Sequence, residues 1–142
     1  NYEIIDHTAD LGIIVHGSDL NILFSNAGNA MAEIMADTSN VKDALLKEIT
    51  VTGVDLEQLM INWLHEILYY YEVDFLLFKR LTVEDIEIPE QSNNSASQLY
   101  TIKASCHGEQ FDINKHKIWE LNDDAKEIKL YNIETISNYS AN

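Results

Sequence analysis

The densest group of reactive side chains is Asp6-His7-Thr8-Ala9-Asp10, where two carboxylates, an imidazole and a hydroxyl fall within five residues. Carboxylate oxygens suit hard cations such as Ca²⁺ and Mg²⁺. In a straight strand Asp6 and Asp10 would stand ~13 Å apart at ~3.3 Å per residue, too far to share one ion. Sharing requires a turn, or a ligand from elsewhere in the chain. The same spacing suits a capped turn with His7 held by a backbone bond, and taken alone it favours that structural role.

The other candidate groups carry weaker chemistry. Gly108-Glu109-Gln110-Phe111-Asp112, followed by His116, reads as a turn after a strand, with Phe111 as a core anchor. His65-Glu66 opens like a zinc-protease helix, but Tyr69 occupies the place of the second histidine, so His65 is expected on the helix surface or packed. Cys106 lies in the alternation Tyr100, Ile102, Ala104, Cys106, which predicts a buried structural thiol. A single cysteine cannot close an internal disulfide, and a reducing compartment is the simpler setting. The sequence has no phosphate-binding loop, no glycine-rich dinucleotide fingerprint, no Cys/His zinc cluster and no Gly-x-Ser-x-Gly elbow.

These groups need elements to hold them. Two short apolar runs flank the Asp6–Asp10 stretch, and residues 13–16 read as a strand ending at Gly17. Ser18 is the candidate N-cap of a helix whose apolar face is Leu20, Leu23, Phe24, Ala27, Met31, Ile34 and Met35. A turn at 37–40 and a strand at 48–52 follow. Asp55 and Gln58 resemble a capping box ahead of a second amphipathic helix, with Leu56, Leu59, Met60, Trp63, Leu64, Ile67, Leu68 and Tyr71 on its apolar face. Strands are predicted over 76–88, 99–107 and 127–137, with a polar hairpin loop at 90–98. No internal repeat is visible. Helices and hairpins without regular βαβ alternation predict an α+β fold. The expected architecture is one compact domain over 1–142, mostly antiparallel sheet, with two amphipathic helices packed on one face.

Charge narrows the function classes. With 24 acidic against 9 basic residues the formal net charge is -15. Such a field repels phosphate backbones, so no direct nucleic-acid binding is expected. It favours cations and basic protein surfaces, besides aiding solubility. No apolar run reaches the ~18 residues of a membrane span, and no secretory signal is visible. A cytoplasmic setting away from membranes is therefore expected.

Three segments taken together resemble the archease family. His7-Thr8-Ala9-Asp10-Leu11-Gly12 is similar to its N-terminal signature. Asn62-Trp63-Leu64-His65-Glu66-Ile67-Leu68-Tyr69, with Glu72, is similar to its second-helix signature. Gly108-Glu109-Gln110-Phe111-Asp112, with His116, resembles its Gly-Glu-Pro-Phe-Asp element, Gln110 standing in the proline position. Their order and separation also match, over about residues 2–116.

The resemblance implies an accessory factor rather than an enzyme. Its partner would be the RNA-splicing ligase RtcB of tRNA splicing and RNA repair, whose guanylylation and repeated turnover it would promote. The ligase uses the GTP and carries the covalent nucleotide. The resemblance also implies a compact α+β fold and a divalent metal ion (Ca, Mg or Mn) near the N-terminal signature. By position Asp10 corresponds to the family's metal-binding aspartate, with His7 in support. Lys126 matches a lysine carried before the last strands. The family's C-terminal strand brings a second aspartate to the metal. This sequence stops at Tyr139-Ser140-Ala141-Asn142 without such an aspartate, so either the chain ends short of it or the site is incomplete, and weak metal binding is expected. Two alternatives stand beside this reading: a small metal-dependent hydrolase using Asp10 and His7, and a chaperone-like interaction module.

Overall fold

Two strand-to-helix junctions built on the same residues organise the chain. The computed structural model describes residues 2–6, 11–89 and 99–118, with part of the first hairpin given by its backbone alone. Strands β1 (Tyr2–Asp6) and β2 (Leu11–Val15) lead into helix α1 (Leu20–Met35). After a 3₁₀ turn at Thr38–Asn40, strand β3 (Leu45–Gly53) leads into helix α2 (Leu56–Asp74). Strands β4 (Leu76–Glu87) and β5 (Tyr100–Gln110) complete the described elements. The strands 127–137 and the loop 90–98 expected from sequence lie outside the described residues.

At the first junction the N-cap is Asp19, not Ser18: its carboxylate accepts from the Ile22 amide at 2.8 Å. At the second, Asp55 accepts from the Gln58 amide at 2.7 Å. Gln58 does not return the bond; its side chain donates to Asn62 instead, so the capping box is half formed. Each Asp follows a glycine by two residues, and each glycine lies against the backbone of a leucine one turn into the helix. A Cβ on Gly17 would collide with Leu23, and one on Gly53 would sit 2.6 Å from the Leu59 nitrogen. Gly17-Ser18-Asp19-Leu20 and Gly53-Val54-Asp55-Leu56 are thus one junction device used twice. It shifts the cap one residue past Ser18, because the backbone must first pass Leu23.

The main sheet is antiparallel in the order β3-β5-β4, and β1 pairs antiparallel with β2 in a separate hairpin. Both helices cover one face of the three-stranded sheet, as the apolar pattern predicts. Phe24, Leu59, Trp63, Ile67, Leu81, Ile102 and Cys106 are fully buried between these layers. The buried positions of β4, Phe78, Leu81 and Val83, with half-buried Ile86, skip a residue twice. Lys79 and Glu84 are bulged out of register with β5, which restores the inward phase after each skip. Strand β5 runs to Gln110, beyond the expected end at residue 107. Gly108 pairs with Leu45 on one side and Phe78 on the other, and only a residue without a Cβ tolerates the Leu77 carbonyl there. Of the tyrosine triplet, Tyr69 is exposed and the other two are half buried.

Among the described strands β4 is a sheet edge, and α1 closes it with polar side chains. Asn29 donates to the Leu81 carbonyl at 3.0 Å and accepts from the Leu81 amide at 2.9 Å. Ser25 Oγ accepts from the Val83 amide at 2.8 Å, and Asn21 donates to the Glu84 carbonyl at 3.2 Å. These residues recur every four positions, one stripe of the helix. On an adjoining face the buried Trp63 indole of α2 donates to the Phe24 carbonyl at 2.8 Å. Gly28 makes room for that ring: a Cβ there would lie 2.9 Å from its Cζ2.

Asn29→Ala would leave both the amide and the carbonyl of Leu81 unpaired in a half-buried setting. Urea unfolding should show a loss of about 1–3 kcal/mol. A loss indistinguishable from zero would mean that solvent, not α1, satisfies this edge.

Candidate functional site

The β1–β2 hairpin positions the Asp6–Asp10 stretch. Its register pairs Tyr2 with Val15 and Asp6 with Leu11, so the chain reverses between Asp6 and Leu11. The straight-strand separation of the two aspartates therefore does not apply. The hairpin is fastened at its other end. Asn26 of α1 donates to the His16 carbonyl at 2.7 Å, and the Tyr2 hydroxyl bonds Glu33 of α1. With a rise of ~3.3 Å per residue, the Asp6–Leu11 pair lies ~13 Å from the Tyr2–Val15 pair. His7, Asp10 and Lys126 themselves lie outside the described residues. Among the described residues no three His, Cys, Asp or Glu side chains gather as a metal-holding group.

The second-helix segment divides into buried and exposed members. Trp63 and Leu64 are core, while Asn62 donates to the Thr52 carbonyl at 2.8 Å and ties α2 to β3. His65 and Tyr69 face solvent and Glu66 is half exposed. With Thr50, Val51, Thr52 and Asn62 these three residues line a shallow open groove of about 460 Å³. His65 is thus a surface residue, one of the two placements expected for it, and not a packed one.

The third segment is a structural knot centred on Glu109. Its carboxylate takes Lys115 Nζ at 2.7 and 2.9 Å and the Lys42 amide at 2.6 Å. His116, itself buried, brings Nε2 to 3.2 Å of the same carboxylate but off the line of a well-formed hydrogen bond. His116 Nδ1 accepts from the Asp112 amide at 2.9 Å, which places a ring proton on Nε2, facing Glu109. The Lys115 bonds first, then the Lys42 amide, hold the Glu109 carboxyl well below its ordinary value of 4.5, at about 2. Phe111 is half buried against the small cluster Ala36, Val41 and Leu77 and lies beside the His116 ring. It serves as the anchor expected, although residues 108–110 are strand rather than turn.

Gln110 has its own task. Its side-chain amide donates to the carbonyls of Asp74 at 2.6 Å and Phe75 at 3.2 Å, at the end of α2. A proline there has no such donor. The Lys42 and Lys115 contacts to Glu109 were not readable from sequence. Lys42 is 67 residues away, and Lys115, six away, reaches Glu109 across the turn at 113–115 rather than along a strand.

Residues 2–129 match the archease protein family (MTH1598/TM1083). The chain belongs to this family. It is 36% identical over 116 residues to the protein archease of Sulfurisphaera tokodaii, covering 82% of this chain and 76% of that one. It is 39% identical over 116 residues to the protein archease of Sulfolobus acidocaldarius, with the same coverage. The solution structure of Methanobacterium thermoautotrophicum protein 1598 is similar with a TM-score of 0.64 at 27% identity, covering 85% of this chain and 81% of that one. The family match extends past residue 116, where the sequence resemblance was expected to fade, and takes in Lys126. No described helix of this archease is long and apolar enough to cross a membrane.

The Glu109 knot makes a pH prediction. A carboxyl lowered on folding from 4.5 to about 2 adds stability that is full above pH 4.5 and is lost as pH falls towards 2. Glu109→Gln should lower Tm at neutral pH, and the gap to the unsubstituted protein should close over that window. A gap that stays constant with pH would mean that the charge of Glu109 is not what holds the knot.

Proposed function

We propose that this archease is an accessory factor of the RNA-splicing ligase RtcB, promoting guanylylation of the ligase and its repeated turnover in tRNA splicing and RNA repair, and not itself an enzyme. The observation that carries the reading is the family match over residues 2–129, which contains all three signature segments. The net charge of -15 supports a basic protein surface as partner over direct RNA contact. Its setting would be the cytoplasm, beside that ligase.

Asp10 is the residue proposed to hold a divalent ion (calcium, magnesium or manganese), with His7 in support. The donor chemistry fits, because carboxylate oxygens are ligands for hard cations. The reversal between Asp6 and Leu11 fits as well, since it removes the extended spacing that would keep Asp6 and Asp10 apart. A divalent ion, when bound, supplies positive charge that neutralises phosphate oxygens. Asp10 would present that charge at the free end of the hairpin, towards the GTP used by the ligase. Lys126 would contact a phosphate or a carboxylate.

The test is ligase guanylylation over several turnovers, with Asp10→Ala beside the unsubstituted protein and with the metal varied. A folded Asp10→Ala should stimulate roughly 10–100-fold less, the usual effect of disturbing a metal site. Full stimulation by that variant sinks the role of Asp10. Phosphoester turnover by the protein alone, abolished in Asp10→Ala, would replace the accessory reading with a hydrolase. Stimulation that survives both chelation and the loss of Asp10 would replace it with a metal-independent interaction module.

A further inference from the structure

Phe75 carries a conformation that its own side chain opposes. It ends α2 at φ 55 and ψ 37, and it is the one non-glycine residue with positive φ among the described residues. Glycine is the usual occupant there, because a Cβ crowds the backbone in the left-handed region. Burial does not compensate, since the side chain is 58% exposed. The backbone of Phe75 is fully employed. Its amide donates to the Tyr70 carbonyl, and its carbonyl accepts from the Phe111 amide at 2.8 Å and from Gln110 at 3.2 Å. Glycine would make every one of these bonds. The phenyl ring is therefore retained for something outside this fold.

A second apolar side chain is exposed on the segment bonded to it. Ile113 is 80% exposed in the tight turn that the Lys115 and His116 amides close on the Asp112 carbonyl. The Phe111–Phe75 bond brings that turn against the end of α2. Near the two in sequence stand exposed acidic residues: Glu72, Asp74 and Asp112. The turn's own cation, Lys115, is engaged by Glu109.

We infer that Phe75 and Ile113 form a docking surface for a protein partner that offers an apolar pocket ringed by Lys and Arg. The acidic rim selects that partner. A nucleic acid is repelled by it, and so is a second copy of this chain, which would bring the same three carboxylates to the contact. Under the reading above, on which this identification of the occupant rests, the partner is the ligase RtcB.

Full-length Phe75→Gly, Ile113→Ser and the double variant are titrated against RtcB by calorimetry at low and raised salt. Phe75→Gly should keep or raise Tm, by roughly 2–4 °C, because glycine suits the left-handed cap. The double variant should bind RtcB at least about tenfold more weakly, as loss of central anchors does. Ile113→Ser, at an exposed tip, should weaken binding with no change in Tm. Binding by the unsubstituted protein should weaken with salt. Double-variant binding equal to the unsubstituted protein overturns this surface and leaves the accessory role intact. An unsubstituted protein that does not bind RtcB overturns both. Salt-insensitive binding, or a dimer abolished by Ile113→Ser, overturns the basic partner.

Discussion

A sheet edge is a row of backbone amides and carbonyls that need partners, and one left unpaired under cover is costly. Strand β4 meets this constraint through a helix. Asn21, Ser25 and Asn29 of α1 stand in for a neighbouring strand along Leu81, Val83 and Glu84. These bonds go to the backbone, so they set the place of α1 along the edge. Once α1 is placed, Gly28 and the Phe24 carbonyl present the slot and the acceptor that seat Trp63. Trp63 seats α2, Asn62 ties α2 to Thr52 of β3, and α2 ends where Gln110 of β5 collects its last carbonyls. Each step depends on the one before it.

Next to Gln110, at the same end of β5, the joining is done with charge. In a chain with 24 acidic side chains, Glu109 is held ionised by two bonds from Lys115 and one from the Lys42 amide. One carboxylate thereby joins the segment before β3, the end of β5 and the turn at 112–116. Two of the three archease signature segments are thus largely structural. They supply Trp63, Asn62, Gly108, Glu109 and His116, which set the helices and the sheet. The remaining segment spans the reversal between two paired strand ends. That division suits a small protein whose work is proposed to lie at its surface, where a rigid frame presents a hairpin end and an apolar, acid-rimmed corner.

Several sequence-level expectations met the structure because they rest on neighbours along the chain. Helical spacing located both apolar faces, Asp55 capped α2, and the alternation through Ile102, Ala104 and Cys106 pointed inward. Burial pushes the Cys106 thiol up to about 12, so it is the inert core residue expected. The misses have a common cause. Ser18 lost the cap to Asp19 because the close approach of Gly17 to Leu23 is a folded contact. Residues 108–110 read as a turn because their glycine and polar residues are common in turns. In the paired sheet the same glycine is what lets Leu77 come close.

Local periodicity, caps, the charge balance and the order of three signature segments were therefore decided by the sequence itself, and with them the α+β class and membership of the archease family. Periodicity and caps depend on residues within a helical turn or a strand period of one another, while the charge balance and the order of the segments are read from the residues without any contact between them. The tertiary structure decided which polar stripe of α1 meets the β4 edge, where Lys79 and Glu84 bulge, how Lys42 reaches Glu109 across 67 residues, and that Phe75 ends α2 in a left-handed turn. Those outcomes follow from which backbones face each other, and strand register, unlike periodicity, is set by contacts between residues distant in the chain.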